Sequence, residues 1–319
     1  MVPKVSIVLS AYNGDPWIDE CIQSILGQTF EDFELIIIDD GSTDGTWGRI
    51  NAYKDDRIRT FKQENCGIAA AANRGVGYAR APYVARIDQD DVMMPTRLER
   101  EFAYLETNPH VALVCTYAQL IYDRIISNDL YRAPLSSKTL HLRLVFECPV
   151  VQPSVMFRTD VFRKLGGYDE DKRIYGADDF DLWTRMAKDH KLKCLAEPLT
   201  RYRVRPASFS HSNKSIDHNV LISERSLHRY LARTFTEGEC HSLAAIFHRS
   251  AKPVPPLKLG KALQMFDQVT DIIAGPRKDW DKETAQVYGL QRRMIFFHHI
   301  LRHHLLRPFI QRIPALRLR

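Results

Sequence analysis

The chain has 319 residues, 45% of them hydrophobic and 26% charged, a balance that fits a globular protein and excludes disordered and fibrous classes. Its net charge is +6, yet no acidic residue follows Glu283 while Arg292, Arg293, Arg302, Arg307, Arg312, Arg317 and Arg319 do, so residues 1–283 balance to −1 and lack the basic surface of a nucleic-acid-binding domain. No apolar run approaches the roughly 18 residues of a membrane span. The six cysteines stand singly, and the N-terminus enters a strand pattern instead of a signal peptide; both lead us to expect a cytoplasmic protein with buried, reduced thiols.

Residues 5–10 are a nearly continuous apolar run, as in a buried parallel strand, broken by Asn13-Gly14. A helical pattern with Trp17, Cys21, Ile25 and Leu26 on one face follows. A second strand at 33–38 ends in Asp39-Asp40-Gly41, and Ser42, Thr43 and Asp44 supply N-cap chemistry for a helix through Trp47, Ile50 and Tyr53. Residues 57–61 read as a third strand, 68–78 as an Ala-rich helix, and 83–87 as the strand that feeds Asp88-Gln89-Asp90-Asp91. A helix from Pro95 to about residue 106 and a strand at 111–116 close this series. Alternating strands and helices with short connections predict an α/β fold with a mostly parallel sheet flanked by helices. Further on, strands are expected at 119–123, 154–158 and 192–196 and helices at 139–147 and 178–189; beyond about 215 the pattern is helical throughout.

The chemistry concentrates at strand ends, where ligands of open α/β folds bind. Three carboxylates within four residues, Asp88, Asp90 and Asp91, repel one another and need a countercharge; oxygen ligands at this density suit Mg²⁺ or Mn²⁺ carrying substrate phosphates. Tyr12 at the first strand end can stack on a base. Asp39 at the second can accept the N3–H of uracil or a ribose hydroxyl. Taken singly, each also reads as an ordinary turn or cap residue. Neither strand end carries GxGxxG, which argues against a dinucleotide-binding site.

Together, VSIVLSAYN at 5–13, IDDGSTD at 38–44, GIAAAAN at 67–73, DQDD at 88–91 with Pro95 and RLE at 97–99, QPSVMFR at 152–158, GGYD at 166–169, DDFDLW at 178–183 and Tyr202-Arg203 resemble glycosyltransferase family 2 over about residues 4–210. The resemblance implies an inverting, nucleotide-sugar-dependent enzyme of GT-A fold. Its catalytic domain would cover 1–214, with a nucleotide-sugar half to about 118 and an acceptor half to 214, followed by a helical region at 215–319. Tyr12 and Asp39 would bind base and ribose with Ala11 and Asn73 nearby. Asp88 and Asp90 would form the DxD pair around Gln89 and hold Mn²⁺ or Mg²⁺, and Asp179 would be the base, with Asp178 second. The donor would be a UDP-hexose or UDP-N-acetylhexosamine, and the acceptor a hydroxyl of a cell-surface glycan or lipid-linked oligosaccharide. A non-catalytic scaffold that binds nucleotide-sugar or glycan is the alternative.

The sequence departs from the family at three places. Ser10-Ala11 replaces the usual pair before Tyr12, Ala72 stands where an Arg often precedes the Asn, and Asp178 stands for the usual Glu. A phosphate-contacting cation is therefore sought elsewhere, at Arg74, Arg80, Arg86 or Arg203, and His211 falls where some relatives place a loop residue over the diphosphate. Trp183 reads as core more than as a sugar platform. In the C-terminal region Leu290, Met294, Phe297, Leu301 and Leu305 fall on one helix face, and Arg292, His299, Arg302, His303 and Arg307 on the other. That pattern predicts peripheral contact of 287–319 with an anionic membrane surface, against a helix packed on the protein or an oligomer contact.

Overall fold

The computed structural model describes residues 2–205, 214–248, 250, 252 and 254–303. His211 and the residues from 304 onward, Leu305, Arg307, Arg312, Arg317 and Arg319 included, lie outside the described residues, as do the side chains of Leu301, Arg302 and His303. The chain divides into two compact units, one of Met1–Leu144 with Cys148–Ser215, the other of Val145–Glu147 with Ile216–Arg319.

In the first unit the elements run β1 (Val5–Ala11), α1 (Ile18–Leu26), β2 (Phe33–Asp39), α2 (Thr46–Ala52), β3 (Ile58–Lys62), α3 (Ile68–Gly77), β4 (Tyr83–Asp88), β5 (Val92–Met93) and α4 (Arg97–Thr107). Then come β6 (Val111–Tyr122), β7 (Ile125–Tyr131), α5 (Ser137–Leu144), β8 (Val155–Arg158), α6 (Thr159–Lys164), α7 (Asp178–Asp189) and β9 (Lys191–Val204). The sheet order is β3-β2-β1-β4-β8-β6-β9-β5, with β7 paired to β6. The first four strands are parallel, as the alternation predicts. From β8 onward the sheet is mixed, because β8 runs antiparallel to both β4 and β6.

The fully buried residues of β1 and β2 explain their unbroken apolar runs: Val5, Ile7 and Leu9 join Ile18, Ile22 and Ile25 of α1 in one core, with Leu35 and Ile37 beside them. The helix expected at 178–189 is α7, with the same bounds. Two differences have local causes. The strands expected at 111–116 and 119–123 are one, β6, because parallel pairing to β9 continues through register shifts near Thr116 and Tyr117. Its hairpin partner β7 escapes sequence reading because it is an edge strand, exposed along most of its length, in which Ser127-Asn128-Asp129 interrupts any apolar alternation. Of the cysteines, Cys66 is exposed and Cys148 half-buried, which corrects the expectation that all are buried.

The second unit contains α8 (Lys214–Leu231), α9 (Glu237–Phe247), α10 (Leu259–Ala274) and α11 (Lys282–His303). Its core gathers Leu227, Leu231, Leu243, Ala262, Met265, Phe266 and Ile295, together with Phe146, which stacks on Phe247 with ring centroids 4.3 Å apart. On α11 the buried positions are Thr284, Gln291, Ile295 and His298, whereas Leu290, Phe296 and Phe297 are exposed. Arg292, read from the sequence as part of the basic face, pairs with Asp267 of α10 at 3.3 Å. No helix among the described residues is long and apolar enough to cross a membrane.

Candidate active site

A cleft of about 310 Å³ opens at the carboxyl ends of β1 and β4. Register explains the convergence: Ser10 pairs with Asp88 and Ala11 with Asp39, so three strands deliver their terminal residues to one level. Ala11, Tyr12, Asp88, Gln89 and Asp90 line the cleft, and Tyr12 is 47% exposed.

Gln89 does more than separate two aspartates. Its Oε1 accepts from the Tyr12 N–H at 2.8 Å and its Nε2 donates to the Tyr12 carbonyl at 2.9 Å. This reciprocal pair joins the β4 turn to the end of β1. Glycine at position 14 leaves the room, since a Cβ there would lie 2.3 Å from Gln89 Oε1.

The acidic turn is held by arginines. Arg203 donates its backbone N–H to Asp91 Oδ1 at 2.8 Å and its Nε to the Asp90 carbonyl at 2.8 Å, and its guanidinium also reaches Glu20 and the Asp123 carbonyl. Arg203 thus lines the cleft with its bonds already made. Arg205, by contrast, is 43% exposed and sets Nε 2.7 Å from Asp90 Oδ2. Burial raises the Asp90 carboxyl above the usual range, the Arg205 charge opposes that, and Asp88 adds to it. Asp91 is raised further, by burial and then by its acidic neighbours, and one of its oxygens has no hydrogen-bond partner.

Of the adjacent aspartates at the end of β2, Asp40 lines the cleft and Asp39 does not. Asp40 accepts from the Cys66 and Gly67 backbone N–H groups, both at 2.9 Å, and from Gln63 at 2.7 Å, which fixes the entry to α3. Asp39 is fully buried with neither oxygen hydrogen-bonded; its nearest countercharge is Lys62 Nζ at 3.8 Å. Asn73 is not brought to the cleft. Its side chain donates to the Tyr168 carbonyl and Glu170 and accepts from the Tyr168 N–H at 2.8 Å, so it clamps the turn after Gly167.

Asp178 and Asp179 open α7, and neither is among the cleft-lining residues. Both respond to the charge of Asp88, which places them in the electrostatic neighbourhood of the cleft. Burial, then the Asp178 charge, pushes Asp179 up to about 8, even though its Oδ1 accepts from the Phe180 N–H at 2.7 Å. Asp178 is pushed up to about 6, chiefly by burial and against the pull of Arg86. Trp183, one turn on, is fully buried, as its reading as core requires.

Two further cation candidates, Arg74 and Arg80, are engaged away from the cleft. Arg74 donates to Gln63 and Tyr78, and Arg80 pairs with Glu34 at 2.9 Å. Sequence reading missed Arg205 and Tyr175, which also lines the cleft. A Cβ at Gly67, where φ is +95°, would lie 3.2 Å from the Tyr175 ring. A basic residue just past a long strand and a tyrosine in an irregular turn leave no pattern in the sequence that distinguishes them.

Residues 6–166 match the profile of Glycosyl transferase family 2. An uncharacterized glycosyltransferase of Haemophilus influenzae is 32% identical over 221 residues, 63% of this chain and 66% of that protein. The putative glycosyltransferase EpsE of Bacillus subtilis is 32% identical over 230 residues, 68% of this chain and 78% of that one. Among solved structures, S. aureus TarS 1–349 in complex with UDP-GlcNAc superposes with a TM-score of 0.62 at 17% identity, covering 93% of this chain and 89% of its own. The mannosyltransferase PcManGT from Pyrobaculum calidifontis, in complex with GDP-Man and Mn²⁺, gives 0.55 at 16%, covering 95% and 89%. At such identities the structural likeness speaks for the fold. Parallel strands whose ends gather Tyr12, Asp88 and Asp90, and a profile match across half the sequence, have one common meaning: the chain belongs to glycosyltransferase family 2.

Proposed function

We propose that this glycosyltransferase moves a sugar from a nucleoside diphosphate, of the UDP type, to a hydroxyl of a cell-surface glycan or lipid-linked oligosaccharide, with inversion at the anomeric carbon. The observation that carries the reading is Asp39. It is a fully buried carboxylate with two unpartnered oxygens, in register with the cleft-lining Ala11. A buried acceptor left unpaired costs about 1–3 kcal/mol, and the N3–H of a uracil stacked at Tyr12 is a donor that would relieve it. TarS binds UDP-GlcNAc with the same fold, in support of that base.

Asp88 and Asp90 fit a hard divalent cation. Both offer oxygen, Asp90 is mostly buried, and a guanidinium already sits on it. No third His, Cys, Asp or Glu completes a metal cluster among the described residues, so the diphosphate and water would supply the other ligands. A cation bound there would neutralise the diphosphate and stabilise charge on the departing nucleoside diphosphate. PcManGT carries Mn²⁺ with its GDP-Man, which supports this metal requirement. Arg205 is the residue placed to turn from Asp90 to the diphosphate once the donor is bound.

Asp179 takes the proton of the acceptor hydroxyl as that oxygen attacks the anomeric carbon opposite the diphosphate. The new C–O bond forms as the bond to the leaving phosphate oxygen breaks. A positioned base contributes roughly 10²–10⁴-fold, and a carboxyl raised by burial is a stronger base than a solvated one. The exposed Leu290, Phe296 and Phe297 beside Arg293 support a further element of this reading, contact of 287–319 with an anionic membrane surface.

The deciding experiment is calorimetric titration of UDP, GDP, dTDP and CMP with and without Mn²⁺, followed by transfer assays with sugars on the base that binds. Manganese-dependent UDP binding with turnover is the expected result. Binding without turnover on any acceptor would favour the scaffold alternative, and binding of GDP alone would remove uracil from the reading.

A further inference from the structure

Arg86 on β4 and Arg97 at the start of α4 are both fully buried, and the fold treats them differently. Arg97 is satisfied: Nε meets both Glu101 oxygens at 3.2 Å, Nη2 donates to the Arg86 and Val155 carbonyls at 3.0 Å, and Nη1 donates to the Pro153 carbonyl. Arg86 makes one hydrogen bond, from Nη1 to the Val8 carbonyl at 2.8 Å, and its Nε and Nη2 have no hydrogen-bond partner. The Asp88 carboxylate is 3.7 Å from Nη2, close enough for attraction and too far for a hydrogen bond.

Tyr168 also neighbours this guanidinium, with its ring centre 5.9 Å from Cζ and its buried hydroxyl likewise unpartnered. The Trp183 ring is 6.2 Å from that of Tyr168, and its indole N–H is in the same condition. Asp178, 4% exposed, feels both Arg86 and Asp88. An arginine that served packing alone would be satisfied as Arg97 is, because each buried unpaired donor costs about 1–3 kcal/mol. Arg86 is instead a charge with spare donors beside the carboxylate that ends β4, and the Tyr168 and Trp183 rings connect it to α7, the helix that Asp178 opens.

We propose that Arg86 is a positioning residue that ties Asp88 to Asp178 through one buried positive charge, and so holds the donor side and the acceptor side of the site in fixed relation. The inference rests on the reading above, in which Asp88 serves the donor and the α7 pair the acceptor.

The test uses the full chain with aspartate labelled at ¹³Cγ, Asp178 and Asp179 being assigned through Asp178→Asn and Asp179→Asn. In Arg86→Met the first deprotonation of the pair should move up by about one pH unit or more, and Arg86→Lys should return it most of the way. Turnover should fall about 10–100-fold in Arg86→Met and partly recover in Arg86→Lys. If Arg86→Met does not fold, Arg86→Gln makes the same comparison. A pair that titrates as in the parent, with a rate loss no larger than the loss of folded protein, overturns the proposal. A shifted titration in a protein that transfers no sugar would keep Arg86 in its role and overturn the donor–acceptor reading instead.

Discussion

Gln89 and Tyr12 exchange two hydrogen bonds, side-chain amide to backbone, across 77 positions of sequence. The amide therefore sets the height at which the Tyr12 ring leaves the end of β1, and the acidic turn and the aromatic move as one piece. Two such bonds together are worth about 1–3 kcal/mol. Gln89→Ala should weaken binding of the nucleoside diphosphate about tenfold while leaving the fold intact, read by calorimetry beside a melting curve. Gly14→Ala should do the same by a different route, since its methyl must push Gln89 Oε1 off the Tyr12 N–H. Undiminished affinity in both would show that Tyr12 needs no such support.

Asp179→Asn should retain donor binding and lower turnover by roughly 10²–10⁴. Asp178→Asn should cost less.

The pH dependence follows from the direction of the shifts. Both carboxyls are raised, to about 8 and about 6, so both hold protons at pH values where a solvated aspartate is ionised. A base works only when deprotonated. Turnover should therefore climb with pH through the neutral range, not level off above pH 5, and the apparent values belong to the pair. A rate profile from pH 5 to 9 that is flat above 5 would exclude the pair from proton transfer.

Arg205→Ala removes the cation that sits on Asp90 Oδ2. Asp90 is buried but Arg205 is 43% exposed, so solvent screens the pair to about 1 kcal/mol or less, and Mn²⁺ affinity without donor should rise by no more than about fivefold. Turnover should fall much further if Arg205 acts on the diphosphate. Equal and small effects on both would confine Arg205 to balancing charge.

For the second unit, the exposure of Leu290 and Phe297 makes them the residues to change, in preference to a truncation that would also remove the buried Ile295. Leu290→Glu with Phe297→Glu should lower co-sedimentation with anionic vesicles at low salt about tenfold or more without lowering the melting temperature. Unchanged sedimentation would remove α11 from any membrane contact.

What was legible in the sequence is what local pattern dictates. The runs of β1, β2 and β4 are apolar because both faces of a parallel sheet are covered, and each ends where polar chemistry begins, so the pattern alone puts Tyr12, Asp88 and Asp90 at strand ends. Asp178 to Asp189 was legible as a helix because capping acids and a 3.6 period coincide. The rest depends on distant partners. Asn73 turns out to clamp the Tyr168 turn because the chain returns there 95 positions later. Arg203 is absorbed by Asp90, Asp91, Glu20 and Asp123, while Arg205 two residues on is the cation at the cleft; no periodicity separates them. β5, two residues long, and β7, whose apolar residues are split by Ser127-Asn128-Asp129, carry too little regular apolar pattern to be read as strands.

Phe146 has a consequence for how this protein can be cut or recombined. It stacks on Phe247 in the core of the helical unit, although 70 or so residues of the other unit follow it in the chain. A gene fragment starting near residue 216 would encode four helices with an aromatic-sized hole at their centre, and its complement would carry an orphan phenylalanine. The two units are thus not modules that exchange by a single crossover between genes; a functional chimera has to inherit residues 145–147 and the C-terminal helices from the same parent.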